Sequence, residues 1–180
     1  MFKGLFMLST KKITACALFS AIICVVTTFV AIPAPTIGNI NVGDIFILCC
    51  SWLISPPYCA IAAGLGAGLA DIFSGYAIYA PATFIIKFCM ALMCHYIFSL
   101  LSKCFKRSLF ARILSAFVAE AVMVLGYFVY ECIIYDPTSA FASIPFNLIQ
   151  GSVCLVVGVF VCQICLQNKA LESLSEKLNN

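Results

Sequence analysis

Charge is what this sequence has least of. Only 9% of its 180 residues are Asp, Glu, Lys or Arg, while 64% are hydrophobic and the mean hydropathy is +1.13; an average soluble domain is about 25% charged. So few charges could not cover the surface of a water-soluble globule. The composition therefore excludes a cytosolic enzyme, a nucleic-acid binder and a disordered scaffold, and places the chain in contact with membrane lipid. Histidine is scarcer still. His95 stands alone in an apolar segment with no H-E-x-x-H, so it reads as a packing residue and no metal site is expected. No G-x-x-x-x-G-K-[ST] loop is present to hold ATP. The chain is expected to carry no cofactor and to perform no catalysis or energy coupling by itself.

The few basic residues are unevenly placed. Lys3, Lys11 and Lys12 precede the first apolar run, Lys103, Lys106, Arg107 and Arg112 cluster together, and Lys169 and Lys177 lie in the tail; Lys87 is the exception. Cytoplasmic loops collect Lys and Arg, so the N-terminus, the 102–112 region and the C-terminus are expected inside, with an even number of spans on either side of the central cluster. Cysteine is abundant, at twelve, but most cysteines fall inside apolar runs and read as reduced packing residues. Cys162 and Cys165 form a C-x-x-C pair without any βαβ pattern around it, which gives no support to a redox role.

The apolar runs define a single membrane domain over 1–180 with six transmembrane helices, at about 13–32, 45–54, 58–73, 81–101, 110–134 and 144–166. A polar tail over 167–180 is expected in the cytoplasm. The stretch 44–73 is apolar throughout but contains Pro56 and Pro57. As one helix it would be about 45 Å long and would put the basic cluster outside. Two helices restore the parity, the first too short to span and starting in the preceding loop or lying in a thinned or protein-lined region. The inferred outer loops, including T-I-G-N-I-N-V-G-D at 36–44 and Y-D-P-T-S-A-F-A-S at 135–143, contain no Lys or Arg.

Asp71, Lys87, Glu120 and Glu131 lie in or at the edge of apolar helices. A charge at the bilayer centre costs about 3 kcal/mol on insertion scales, so each should face the bundle interior and find a partner. Asn147 and Gln150, three apart, share a helical face. With Lys87, Asp71 and Glu131 they converge on the outer half of the bundle, and loop residues Asn39, Asn41, Asp44, Tyr76 and Tyr79 are placed above them. A mostly apolar cavity with a few convergent polar and aromatic groups is a small-molecule site. The bland alternative pairs Lys87 with Asp71 or Glu131 as a structural bridge and makes the tyrosines an interfacial belt. Glu120, deeper, is assigned to helix packing or a partner. Ala60, Gly64 and Gly68 at four-residue spacing, and Ala17 with Ala21, mark faces that admit a close neighbour.

Three runs carry a family resemblance: I-N-V-G-D at 40–44, G-L-A-D at 68–71, and S-G-Y-A-I-Y-A-P-A-T-F-I-I-K ending at Lys87. Together with Glu120, G-Y-F-V-Y-E at 126–131 and I-P-F-N-L-I-Q-G at 144–151, the sequence resembles the S component, the substrate-capturing subunit, of energy-coupling-factor (ECF) vitamin transporters of the riboflavin-type branch. The resemblance implies an all-α bundle of six transmembrane helices in the bacterial cell membrane, with both termini cytoplasmic. It implies capture of a vitamin or vitamin precursor at the outer face: riboflavin, or a pyridoxine-like or thiamine-precursor-like ligand. It further implies a transmembrane T subunit as partner, contacted through Ala17 and Ala21, and two cytoplasmic ATPase subunits that use the ATP. Phe146, where the family pattern has glycine, and Ser55-Pro56-Pro57, where it has a Gly-Pro turn, depart from the pattern. Two other classes stay open. A membrane enzyme would bring Glu120, Glu131 and His95 to a common depth. A purely structural subunit would show no cavity and a direct Lys87 ion pair.

Overall fold

A computed structural model describes residues 10–33, 39–105 and 109–167. The expected cytoplasmic tail beyond 167, and Lys106 and Arg107 of the basic cluster, lie outside the described residues. Six helices make up most of the described chain: α1 (Thr10–Phe29), α2 (Gly43–Leu53), α3 (Tyr58–Phe73), α4 (Ala80–Phe105), α5 (Leu109–Ile134) and α6 (Pro137–Gln167). Two short strands, β1 (Ala31–Pro33) and β2 (Asn39–Asn41), form an antiparallel hairpin between α1 and α2. Four helices, α1, α4, α5 and α6, are long and apolar enough to cross a membrane.

The split of the 44–73 stretch is explained by packing. α2 has 11 residues, about 16 Å of helix, and nine of them are buried. It packs against α6, α4, α1 and α3, while α1, α3, α4, α5 and α6 follow one another around it. A helix that is apolar on all sides belongs inside protein, so α2 lies in the protein-lined setting the sequence allowed for. A short turn at Ser55, Pro56 and Pro57, with a cis bond between the prolines, links it to α3.

Small residues let the surrounding helices close in. A Cβ on Gly66 would stand 2.6 Å from the Ser20 carbonyl oxygen, so α1 and α3 touch almost backbone to backbone there. The Ser20 hydroxyl donates to the Ala62 carbonyl at 3.2 Å across the same seam. Gly64 faces the Phe84 backbone on α4 instead. At the end of the bundle away from the hairpin, Trp52 Nε1 donates to Ser115 Oγ at 3.0 Å, and His95 Nδ1 lies 2.8 Å from the Ser51 carbonyl. Arg112, read from sequence as part of the basic loop, is buried in α5 and donates to Gln163 Oε1 at 2.8 Å. Cys16, Cys24, Cys49, Cys50, Cys59, Cys89, Cys94, Cys132, Cys154, Cys162 and Cys165 are free thiols.

Several boundaries differ from the sequence reading by a few residues, α4 running on to Phe105, and two of the differences have a visible cause. The first helix gives way at Phe29 to strand β1, because the chain must turn to pair with Asn39–Asn41. The sixth helix begins at Pro137 rather than at 144. Asp136 caps it by accepting the Ser139 N–H at 3.0 Å and the Ser139 hydroxyl at 2.6 Å, and Pro137 occupies the first helical position, where its missing N–H costs nothing. The polar look of this segment is a helix start, and Pro145 lies within the continuing helix.

Candidate functional site

The hairpin closes over one end of the bundle with Ala31 opposite Asn41 and Pro33 opposite Asn39. At its exit the Asn41 side-chain oxygen accepts the Gly43 N–H at 3.0 Å, an Asx turn that sends the chain into α2. Gly43 is needed at this point, since a Cβ would stand 2.0 Å from Thr27 Oγ1 on α1. Asp44 therefore enters the first turn of α2, where the helix dipole favours a carboxylate.

Asp44 is fully buried and Lys87 is 2% exposed; Lys87 Nζ lies 2.5 Å from Asp44 Oδ1. Gln150 Nε2 donates to the other carboxylate oxygen at 2.8 Å, and its own carbonyl accepts the Asn41 backbone N–H at 2.9 Å. Lys87 Nζ is also 5.4 Å from the Tyr127 ring centroid. One polar chain thus ties α4, α2, α6 and the hairpin together.

Adjoining this chain is a cavity of about 50 Å³, lined by Thr27, Asn39, Asn41, Asp71, Ser74, Tyr76, Tyr79, Thr83, Tyr127, Glu131, Asn147 and Gln150. Tyr76 donates to Asn39 Oδ1 at 3.3 Å, fastening the α3–α4 turn to the hairpin. Tyr79 packs edge-on against Tyr130 at 5.4 Å and lies 6.5 Å from Tyr127, while the Tyr127 and Thr83 hydroxyls are 3.1 Å apart. Glu131 is hydrogen-bonded by the Ser143 hydroxyl. Asp71 Oδ2 and Thr27 Oγ1 are buried with no hydrogen-bond partner, so the walls hold polar atoms for a guest to satisfy.

Of the ten residues singled out from sequence, the structure brings Asn39, Asn41, Asp71, Tyr76, Tyr79, Glu131, Asn147 and Gln150 to this cavity. Asp44 and Lys87 are corrections. Asp44 is not in a loop above the site but buried in α2, and Lys87 pairs with it rather than with Asp71 or Glu131. The pair is direct, as a structural role requires, yet the cavity is present too. Sequence reasoning missed Thr27, Ser74, Thr83 and Tyr127. Two of these had a signal: Thr83 is four residues before Lys87, and Tyr127 four before Glu131, so each shares a helical face with a residue already chosen. Ala17 and Ala21 are exposed on α1, whereas Ile23 and Thr27 are buried.

Glu120, Glu131 and His95 do not share a common depth. Glu120 and Glu131 are separated by about 16 Å along α5, and His95 is engaged with the Ser51 carbonyl. Among the described residues no cluster of His, Cys, Asp or Glu could hold a metal ion.

Comparison with known proteins agrees with this geometry. Residues 7–166 match the family described as the ECF-type riboflavin transporter, S component. A protein of Pyrococcus woesei, described as an uncharacterized protein in the gap 3' region, is 31% identical over 137 residues, which is 76% of this chain and 88% of that one. A structure reported as that of the S component of a bacterial ECF transporter superposes with a TM-score of 0.70 at 23% identity, over 86% of this chain and 94% of its own, so the fold is shared. With its four membrane-length helices, the chain is a multi-pass membrane protein that belongs to the ECF-type riboflavin transporter S component family.

Proposed function

We propose that this chain is the substrate-binding subunit of an ECF-type importer, and that it captures an unphosphorylated vitamin or vitamin precursor in the cavity beneath the hairpin. The hairpin end faces outward, following the basic residues at the other end and the lack of Lys and Arg in the outer loops. A transmembrane T subunit, seated on α1 at Ala17 and Ala21, and two cytoplasmic ATPases complete the transporter. ATP is used by those partners.

The observation that carries this reading is the charge of the cavity. Asp71 and Glu131 line it, and the nearby cation, Lys87, is already held by Asp44. A wall with carboxylates, amides and hydroxyls and no free ammonium favours a ligand rich in donors that is neutral or cationic. The tyrosines supply faces for a heteroaromatic ring. Riboflavin, the ligand in the family's description, fits these terms, as do pyridoxine and the aminopyrimidine precursor of thiamine; a phosphate ester does not. At about 50 Å³ the cavity has room for only a few waters, so loading a vitamin requires the hairpin to lift away from Tyr76 and Gln150.

Titration calorimetry of the purified protein against riboflavin, its 5'-phosphate, pyridoxine and the aminopyrimidine tests this. One unphosphorylated ligand should bind at sub-micromolar concentration, with its phosphate at least 100-fold weaker. Binding of the phosphate ester as tightly as the parent vitamin, or of none of the panel, would overturn the proposal.

A further inference from the structure

A second cavity, of about 330 Å³, opens between α5 and α6 and shares no lining residue with the first. Its walls are apolar, formed by residues such as Phe117, Leu125, Leu148 and Leu155, and its floor is Glu120. Phe117 and Leu125 are more than 60% exposed, so the mouth faces sideways, toward lipid. Glu120 lies about 16 Å from the Leu109 end of α5 and about 21 Å from the Ile134 end, below the level a lipid headgroup reaches.

Glu120 is only 5% exposed, and neither carboxylate oxygen has a hydrogen-bond partner. A buried acid with unfilled hydrogen-bonding capacity at this depth is costly unless something completes it. Nothing on α6 does so: the residue facing it is Gly151, where a Cβ would come within 3.2 Å of the Glu120 side chain. With no side chain at 151, Glu120 lines the groove with its two oxygens just beneath the surface. The charges whose fields reach Glu120 are Asp44 and Lys87. Lys87 is already paired with Asp44, so an ionised Glu120 would carry an uncompensated charge that a single organic cation would balance. The volume lies at the small end of the range for small-molecule sites.

We propose that the α5–α6 groove is a lateral binding site for a membrane-soluble amine, an ammonium on an apolar body, with Glu120 as its counter-ion. The ligand enters from the bilayer rather than from water. Charge selects it: a neutral amphiphile of the same shape gains no ion pair with the carboxylate and occupies the groove far less.

Hydrophobic dicyclohexylcarbodiimide reads the site directly on the intact protein in phosphatidylcholine nanodiscs. The O–H of the carboxylic acid adds across one C=N bond to give an O-acylisourea, which rearranges to the N-acylurea. No group leaves, so the protein gains the mass of one carbodiimide, located by peptide mapping. Glu120 should be labelled, and N,N-dimethyldecylamine should slow its labelling at least fivefold, whereas the uncharged N,N-dimethyldecanamide should leave the rate within twofold. Ala121→Phe, which fills the groove but keeps the carboxylate, should slow labelling at least fivefold without any amine. Absence of adduct on Glu120, equal protection by amine and amide, or unchanged labelling of A121F would each overturn the proposal.

Discussion

Replacing Lys87 by Met is the sharpest perturbation of the buried polar chain. It removes the ammonium 2.5 Å from Asp44 and leaves that fully buried carboxylate with Gln150 Nε2 as its remaining side-chain donor. Breaking a buried pair from one side costs about 3–5 kcal/mol. Gln150 retains part of the compensation, so the lower end applies, about 3 kcal/mol, or roughly a 150-fold shift in the folding equilibrium. Removing both charges behaves differently. In K87M/D44N the amide still accepts from Gln150 and no charge is stranded, so stability should return to within about 1 kcal/mol of the parent. Reversible denaturation in mixed micelles of mild detergent and dodecyl sulfate, run on both single variants and the double, gives the coupling energy. The same cycle should appear in hydrogen exchange at the Asn41 amide, which reaches the pair through Gln150. If K87M costs less than 1 kcal/mol, or if the two single effects simply add, the pair does not hold the hairpin in the way described.

Gly43→Ala places a methyl 2.0 Å from Thr27 Oγ1 and should cost about 1–3 kcal/mol in the same denaturation assay; adding Thr27→Ala, whose hydroxyl has no partner to lose, should restore most of it. Tyr76→Phe frees Asn39 of the hairpin from the α3–α4 turn, so stopped-flow measurements should show faster vitamin association and dissociation, both by several-fold. Asp136 has its carboxyl held below the ordinary value near 4 by the hydroxyl and N–H of Ser139. The cap is therefore complete above that ordinary value and is lost as pH falls through the depressed one; the protection factors of amides in the first turn of α6, corrected for intrinsic exchange, should fall only in that acidic window and should show no such fall in D136N.

The helices were legible because apolar length and the placement of Lys and Arg are one-dimensional signals. The central position of α2 was partly legible too, since the ten-residue run 45–54 cannot span and parity demanded two helices. The hairpin was not, because the pairing of 31–33 with 39–41 joins two three-residue segments whose letters read equally well as loop. Nor was the start of α6, where a cap and a proline resembled a break. In the site, residues chosen for being polar at the right depth lie together at the cavity. What depth could not supply was pairing. Asp44 precedes Lys87 by 43 residues, and only the Asx turn at Asn41, with the close approach of Gly43 to Thr27, brings α2 down to meet it. Thr27 was invisible for the same reason: its place in the wall depends on how α1 meets α2, which no local spacing encodes.

The central claim, that the cavity beneath the hairpin holds a vitamin, is tested most directly by native mass spectrometry of the protein released from mild detergent. The parent chain should carry one unphosphorylated heteroaromatic vitamin per molecule. Ser74→Trp, which places an indole at the cavity wall without touching a buried ion pair, should run as a folded protein without it. A parent chain with no such ligand, or a folded S74W variant that retains it in full, would contradict the account.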